Sequence, residues 1–82
     1  MIDDLQAEIA KADARYGLFH SSHEGLGVLT EEFHELIDAI RSNSLAAIEA
    51  EAIQVAAVAM RLAMACRGEA KQAGEFAARS VK

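Results

Sequence analysis

No proline interrupts this chain, no tryptophan anchors it, and its one cysteine has no partner within it. Without proline there is no enforced kink, so helices can run until glycine or a polar turn ends them. A single cysteine rules out an internal disulfide and fits a reducing compartment, so a cytoplasmic location is expected. Aromatic residues make up only 5%, so a core must be built from aliphatic side chains and alanine, and each alanine buries little area. Basic residues are scarce: 8 stand against 13 acidic ones, for a formal net charge of −5. That balance argues against binding nucleic acid through its phosphates, which needs a basic patch. It leaves room for a nucleotide whose phosphates arrive with Mg²⁺. Met1 is followed by Asp3 and Asp4, not by a basic segment and an apolar core, so no secretory leader is expected. Repeats, low-complexity runs and linkers are absent, and the 82 residues read as one domain, 1–82. A chain this short buries little surface alone, and without a disulfide the natural remedy is oligomerisation.

What is present is helical periodicity, so the expected fold class is all-α. Ile2, Leu5, Ile9, Ala12 and Tyr16 recur at spacings of three and four, which predicts an amphipathic helix over residues 2–16. Gly17 is a C-terminal stop, and a loop over 18–21 follows. Ser21 with Glu24 has the form of a capping box and would start a second helix. Gly25 and Gly27 each weaken that turn by roughly 1 kcal/mol relative to alanine, so Thr30 is a competing start. The helix runs to about Arg41, and "SNS", residues 42–44, makes the turn. A third helix is expected over residues 45–66, ending near Gly68. The tail, 69–82, reads as a short fourth helix or a frayed end. Together these predict an antiparallel helical bundle completed by oligomerisation, as a homodimer or tetramer with the third helix at a two-fold interface.

The charges are the informative part. In "LTEEFHELIDAI", residues 29–40, the carboxylates Glu31, Glu32, Glu35 and Asp38 fall within eight residues. Like charges three and four apart on a helix repel. The cluster is therefore either a solvated face or half of a divalent-cation site. At about 100° per residue, Leu26, Leu29, Phe33, Leu36, Ile37 and Ile40 form one apolar stripe. Glu32 borders that stripe and Glu35 lies further round, both at the packing edge. In the third helix only Gln54 and Arg61 are polar between Ala52 and Cys66. A helix apolar almost all round is buried or spans a membrane, and this run is too short and too interrupted to span. Glu51, Gln54, Val58 and Arg61 share a stripe, whose polar groups need partners. The acidic edge of the second helix is the expected partner surface, with Glu32 and Glu35 near Glu51 and Gln54.

"EEFHE", residues 31–35, followed after fifteen residues by "EAIQ", residues 51–54, resembles the EExxE…ExxD signature of the MazG-like all-α nucleoside triphosphate pyrophosphohydrolases. The stretches "HEGLGVLTEEFHELIDAI" and "EAIQVAAVAMR" look like small phage and bacterial members, and the resemblance covers residues 20–67. It implies a helical bundle completed by assembly. It also implies an enzyme using Mg²⁺, with Mn²⁺ as a substitute, to split a nucleoside triphosphate at the α-phosphorus into a monophosphate and pyrophosphate. The implied metal ligands are Glu32, Glu35, Glu51 and Gln54. Gln54 departs from the pattern, which has Asp there. An amide oxygen can ligate Mg²⁺ but adds no negative charge, so weaker cation affinity is expected. Glu31, one residue off the ligand row, would orient or deprotonate the attacking water.

Arg61 reads either as a phosphate contact or as a structural ion-pair partner. His20 and His23 suit the surface of the loop and capping turn, and are candidates for contact with the nucleotide. His34 and Glu49 read as exposed, Cys66 as a small core residue, and Met60 and Met64 as core filler. Two functions stay open: the pyrophosphohydrolase, or a non-catalytic helical oligomer that binds nucleotide or a partner protein without turnover.

Overall fold

The structure, a computed structural model, describes residues 1–67. It is all-α: helix α1 spans Ile2–Tyr16, α2 Ser22–Ser42 and α3 Leu45–Cys66, with no strand among the described residues. None of these helices is long and apolar enough to cross a membrane. The expected stop near Gly68 and the reading of residues 69–82 lie outside the described residues.

Local chemistry sets each boundary. Asp3 and Asp4 sit in the first turn of α1 and Arg15 in its last, each complementing the helix dipole. Gly17 ends α1 at φ 76°, with its N–H donating to the Asp13 carbonyl at 2.9 Å. Ser21 starts α2: its Oγ accepts from the Glu24 N–H at 3.2 Å. The reciprocal half of the expected capping box is displaced by one residue, because Glu24 Oε1 accepts from the His20 N–H at 2.6 Å. Thr30 is not a start. It lies inside α2 with its hydroxyl donating to the Leu26 carbonyl at 2.8 Å. Every residue of "SNS" has a task. Ser42 Oγ donates to the Ala39 carbonyl, Asn43 takes the left-handed conformation at φ 61°, and Ser44 Oγ caps α3 by accepting from the Ala47 N–H.

Helix α3 is central, with α1 and α2 each packed on it and not on one another. That explains why α3 is apolar on several sides. Along α2 and α3 the pairing order is reversed: Gly25 faces Leu62, while Glu32 and Glu35 meet Glu51. Along α1 and α3 the order runs in the same sense, with Glu8 at Gln54 and Asp13 at Arg61. Gly25 allows the close approach at one end of the pair, since a Cβ there would lie 2.8 Å from Leu62 Cδ1.

The core is small. Phe19, Val58 and Ala65 are buried, with Val28, Leu29 and Leu62 packed against them. Leu26, Phe33 and Ile40 of the expected apolar stripe remain exposed in the single chain. Cys66 is exposed instead of buried in the core, and Met60 is also exposed. Both lie toward the end of α3, on sides that neither α1 nor α2 covers. His34 and Glu49 are exposed as expected.

Candidate metal centre

The reversed pairing of α2 and α3 does what the spacing predicts for three acids. Glu32 and Glu35, i and i+3 on α2, meet Glu51 of α3, and one carboxylate oxygen from each lies within 4.8 Å of the others. Glu32 Oε1 and Glu51 Oε1 are buried and, with both carboxyls ionised, find no hydrogen-bond donor among the described residues. Burial pushes the Glu32 carboxyl above its ordinary range, and the charges of Glu35, Glu51 and Glu31 push it further. Glu51 is raised in the same way, by burial first and then by Glu35. Such an arrangement is unfavourable unless protons or a cation compensate it. The residues fit a hard divalent cation: the donors are all carboxylate oxygens, they converge, and two of their oxygens are buried without partners.

Gln54 and Arg61 find their partners on a different helix from the one expected. Gln54 Nε2 donates to Glu8 Oε1 at 2.8 Å. Arg61 Nε donates to Asp13 Oδ1 at 2.9 Å and Nη2 to the Gly17 carbonyl at 2.8 Å. Its guanidinium also lies over the Phe19 ring, 4.4 Å from the centroid. Both sets of hydrogen-bond partners therefore come from α1 or its end, while the acidic edge of α2 meets Glu51. The reason is geometric: α3 has two neighbours, and its polar stripe is divided between them.

A cavity of about 320 Å³ opens beside the acids. Phe19, Val28, Glu31, Glu32, Gln54 and Arg61 are among the residues that line it. Glu31 is exposed on this wall, next in sequence to Glu32. His20 and His23 are exposed and do not line the cavity, and His20 Nδ1 lies 3.4 Å from Glu24 Oε1. The structure thus brings together Glu32, Glu35 and Glu51, sets Glu31, Gln54 and Arg61 along the adjoining cavity, and leaves the two histidines apart.

Glu8 and Asp13 are the residues that the sequence reading missed. A signal was available. Glu8 is three residues from Leu5 and four from Ala12, and Asp13 is four from Ile9, so both flank the apolar stripe of α1. Glu8 is held from both sides, with Lys11 Nζ 3.4 Å from its Oε2. The Gln54 hydrogen bond, and then Lys11, hold its carboxyl below the ordinary range against the opposing effect of burial. Comparison with known proteins finds no matching family model, no matching curated protein and no matching solved structure.

Proposed function

We propose that this chain is a Mg²⁺-dependent nucleoside triphosphate pyrophosphohydrolase that releases a nucleoside monophosphate and pyrophosphate. One observation carries the reading: Glu32, Glu35 and Glu51 converge within 4.8 Å from two helices, and Glu32 and Glu51 each hold a buried, unpartnered oxygen. A bound Mg²⁺ or Mn²⁺ supplies neutralisation of the phosphate oxygens. Glu32, Glu35 and Glu51 hold it, with Gln54 beside them. Glu31, on the cavity wall, orients a water and takes its proton. Phe19 and Val28 offer the nucleoside an apolar wall. Arg61 shapes that wall with its charge committed to Asp13, and His20 and His23 carry no role in this reading.

The working form is a homodimer or tetramer, in which the α2–α3 antiparallel pair completes a bundle against a second copy. The exposed Leu26, Phe33, Ile40 and Met60 support this reading. Sedimentation at micromolar concentration is expected to give an assembly, and a folded monomer of 8.8 kDa overturns that part.

A non-catalytic oligomer that binds nucleotide or a partner protein is the second reading. It is favoured by Gln54, which brings no negative charge to the acids. Pyrophosphate release across a panel of nucleoside triphosphates with Mg²⁺ separates the two. Release that is abolished by Glu35→Gln, in a protein that stays helical, supports the enzyme. Cation binding without release supports the second reading. Failure of both the parent and Gln54→Asp to bind Mg²⁺ or Mn²⁺, with or without nucleotide, removes the cation from the account altogether.

A further inference from the structure

We infer that Glu8 is a positioning residue for the cation site, fixing the Gln54 amide so that its oxygen is the end left to face a cation. The inference rests on the cation-dependent reading above. A glutamine amide has two ends of nearly equal shape and opposite character. Free to turn, it offers an NH₂ group to the site as readily as an oxygen, and an NH₂ group repels a cation. An aspartate at the same position has no such ambiguity, since both of its atoms are oxygens. A chain with glutamine there therefore needs something to set the amide.

The contact between α1 and α3 supplies it. Gln54 Nε2 lies 2.8 Å from Glu8 Oε1. An ionised carboxylate accepts and cannot donate, so only the nitrogen end of the amide can face Glu8. Lys11 Nζ, 3.4 Å from the other oxygen, steadies Glu8 from the solvent side. Gln54 stands three residues after Glu51 on α3 and lines the same cavity as Glu32, so the end that Glu8 leaves uncommitted belongs to a side chain at the edge of the acid cluster. Partners of this kind, which orient a ligand without touching the metal, typically change metal affinity by about 10- to 100-fold when removed.

The test uses Mn²⁺ alone, with binding followed by calorimetry and by the spin-resonance signal of the ion, and helicity checked in every variant. Glu8→Leu removes the acceptor and is expected to weaken Mn²⁺ binding about 10-fold or more. Glu8→Gln keeps an oxygen that can accept from Gln54 but adds an NH₂ group that can donate to it, so it sets the amide less strictly and is expected to fall between the parent and Glu8→Leu. In the Gln54→Asp background, Glu8→Leu is expected to cost nothing, because no amide remains to be oriented. A direct ligand or a bare negative charge at Glu8 would instead give an equal loss in that background. Three results overturn the inference: Glu8→Leu binding as tightly as the parent, Glu8→Gln falling as far as Glu8→Leu, or an equal loss in both backgrounds. A parent that binds no Mn²⁺ overturns the cation reading and this inference with it, whereas a parent that binds while Glu8→Leu is unchanged overturns this inference only.

Discussion

Arg61 is the only buried charged side chain among the described residues, at 6% exposure. Replacing it with alanine strands Asp13, removes the donor from the Gly17 carbonyl and empties the space over Phe19. Arg61→Ala is expected to destabilise the fold by about 2–4 kcal/mol, below the full cost of breaking a buried pair because Asp13 keeps some contact with water. Arg61→Lys should recover only part of this, since an ammonium lacks both the rigid fork that spans Asp13 and the Gly17 carbonyl and the flat face that lies over Phe19. Urea unfolding measures both, and a loss within about 0.5 kcal/mol for alanine would show the pair to be idle. The acids predict a pH dependence. Glu32 and Glu51 have folded pKa values above the unfolded value of 4.5. Their contribution to stability is complete below 4.5 and is lost as pH rises through the folded values. Glu8 is depressed, so its contribution is present above 4.5 and is lost only as pH falls through its lower folded value. Without cation, the protein should therefore melt higher near about pH 5 than near about pH 8. Mn²⁺ at the higher pH should close the gap by replacing the protons. Thermal melts check this, and a Glu32→Gln, Glu51→Gln double variant that kept the whole gap would assign it to other groups.

At the scale of elements, two glycines should respond oppositely to the same change. Gly17 sits at φ 76°, ψ −166°, a region closed to side chains with a Cβ, although the space around it is open. Gly17→Ala is expected to cost about 1–3 kcal/mol. Gly27 lies within α2 with nothing near an added Cβ, and Gly27→Ala should stabilise by up to about 1 kcal/mol. Chemical denaturation of the two variants against the parent gives both signs. These boundaries were legible in the sequence because they rest on local chemistry: Gly17, Ser21 and "SNS" each satisfy backbone groups within a few residues of themselves. The convergence of Glu32, Glu35 and Glu51 was legible for a similar reason, since a short turn and two helical periods nearly determine it. The partners of Gln54 and Arg61 were not. They depend on where α1 lies, and a helix joined through a five-residue loop can pack on either neighbour. The side chains Glu8 and Asp13 flank an apolar stripe, but nothing local says which helix that stripe will meet.

The described residues form a layer in which α1 and α2 each pack on α3 and not on one another. Periodicity shows which residues seek burial, but the single chain does not bury them all. Leu26, Phe33 and Ile40, spaced by seven on α2, stay about half exposed, at 57%, 52% and 52%. That row is the physical basis for the proposed assembly, because a sustained apolar stripe on one face of a helix calls for another surface. The layered arrangement also sets an order of local opening. Helices α2 and α3 are joined by a two-residue turn and pair along their lengths, so their contacts are close in sequence and quickly re-formed after a fluctuation. Among the described residues helix α1 packs on α3 and not on α2, contains no buried residue, and adds to its half-buried apolar side chains the hydrogen bonds of Glu8 and Asp13 to α3. Its departure costs Arg61 its Asp13 partner but leaves the apolar contacts between α2 and α3 in place. Its amides should therefore exchange with deuterium well before those at the centre of α3, as the least protected of the three helices. Equal protection of α1 and α3 would show instead that the layer opens only as a whole. If α1 does open first, each departure also releases Gln54 from Glu8, so the rate at which one helix breathes becomes the rate at which an amide at the acid cluster is free to turn.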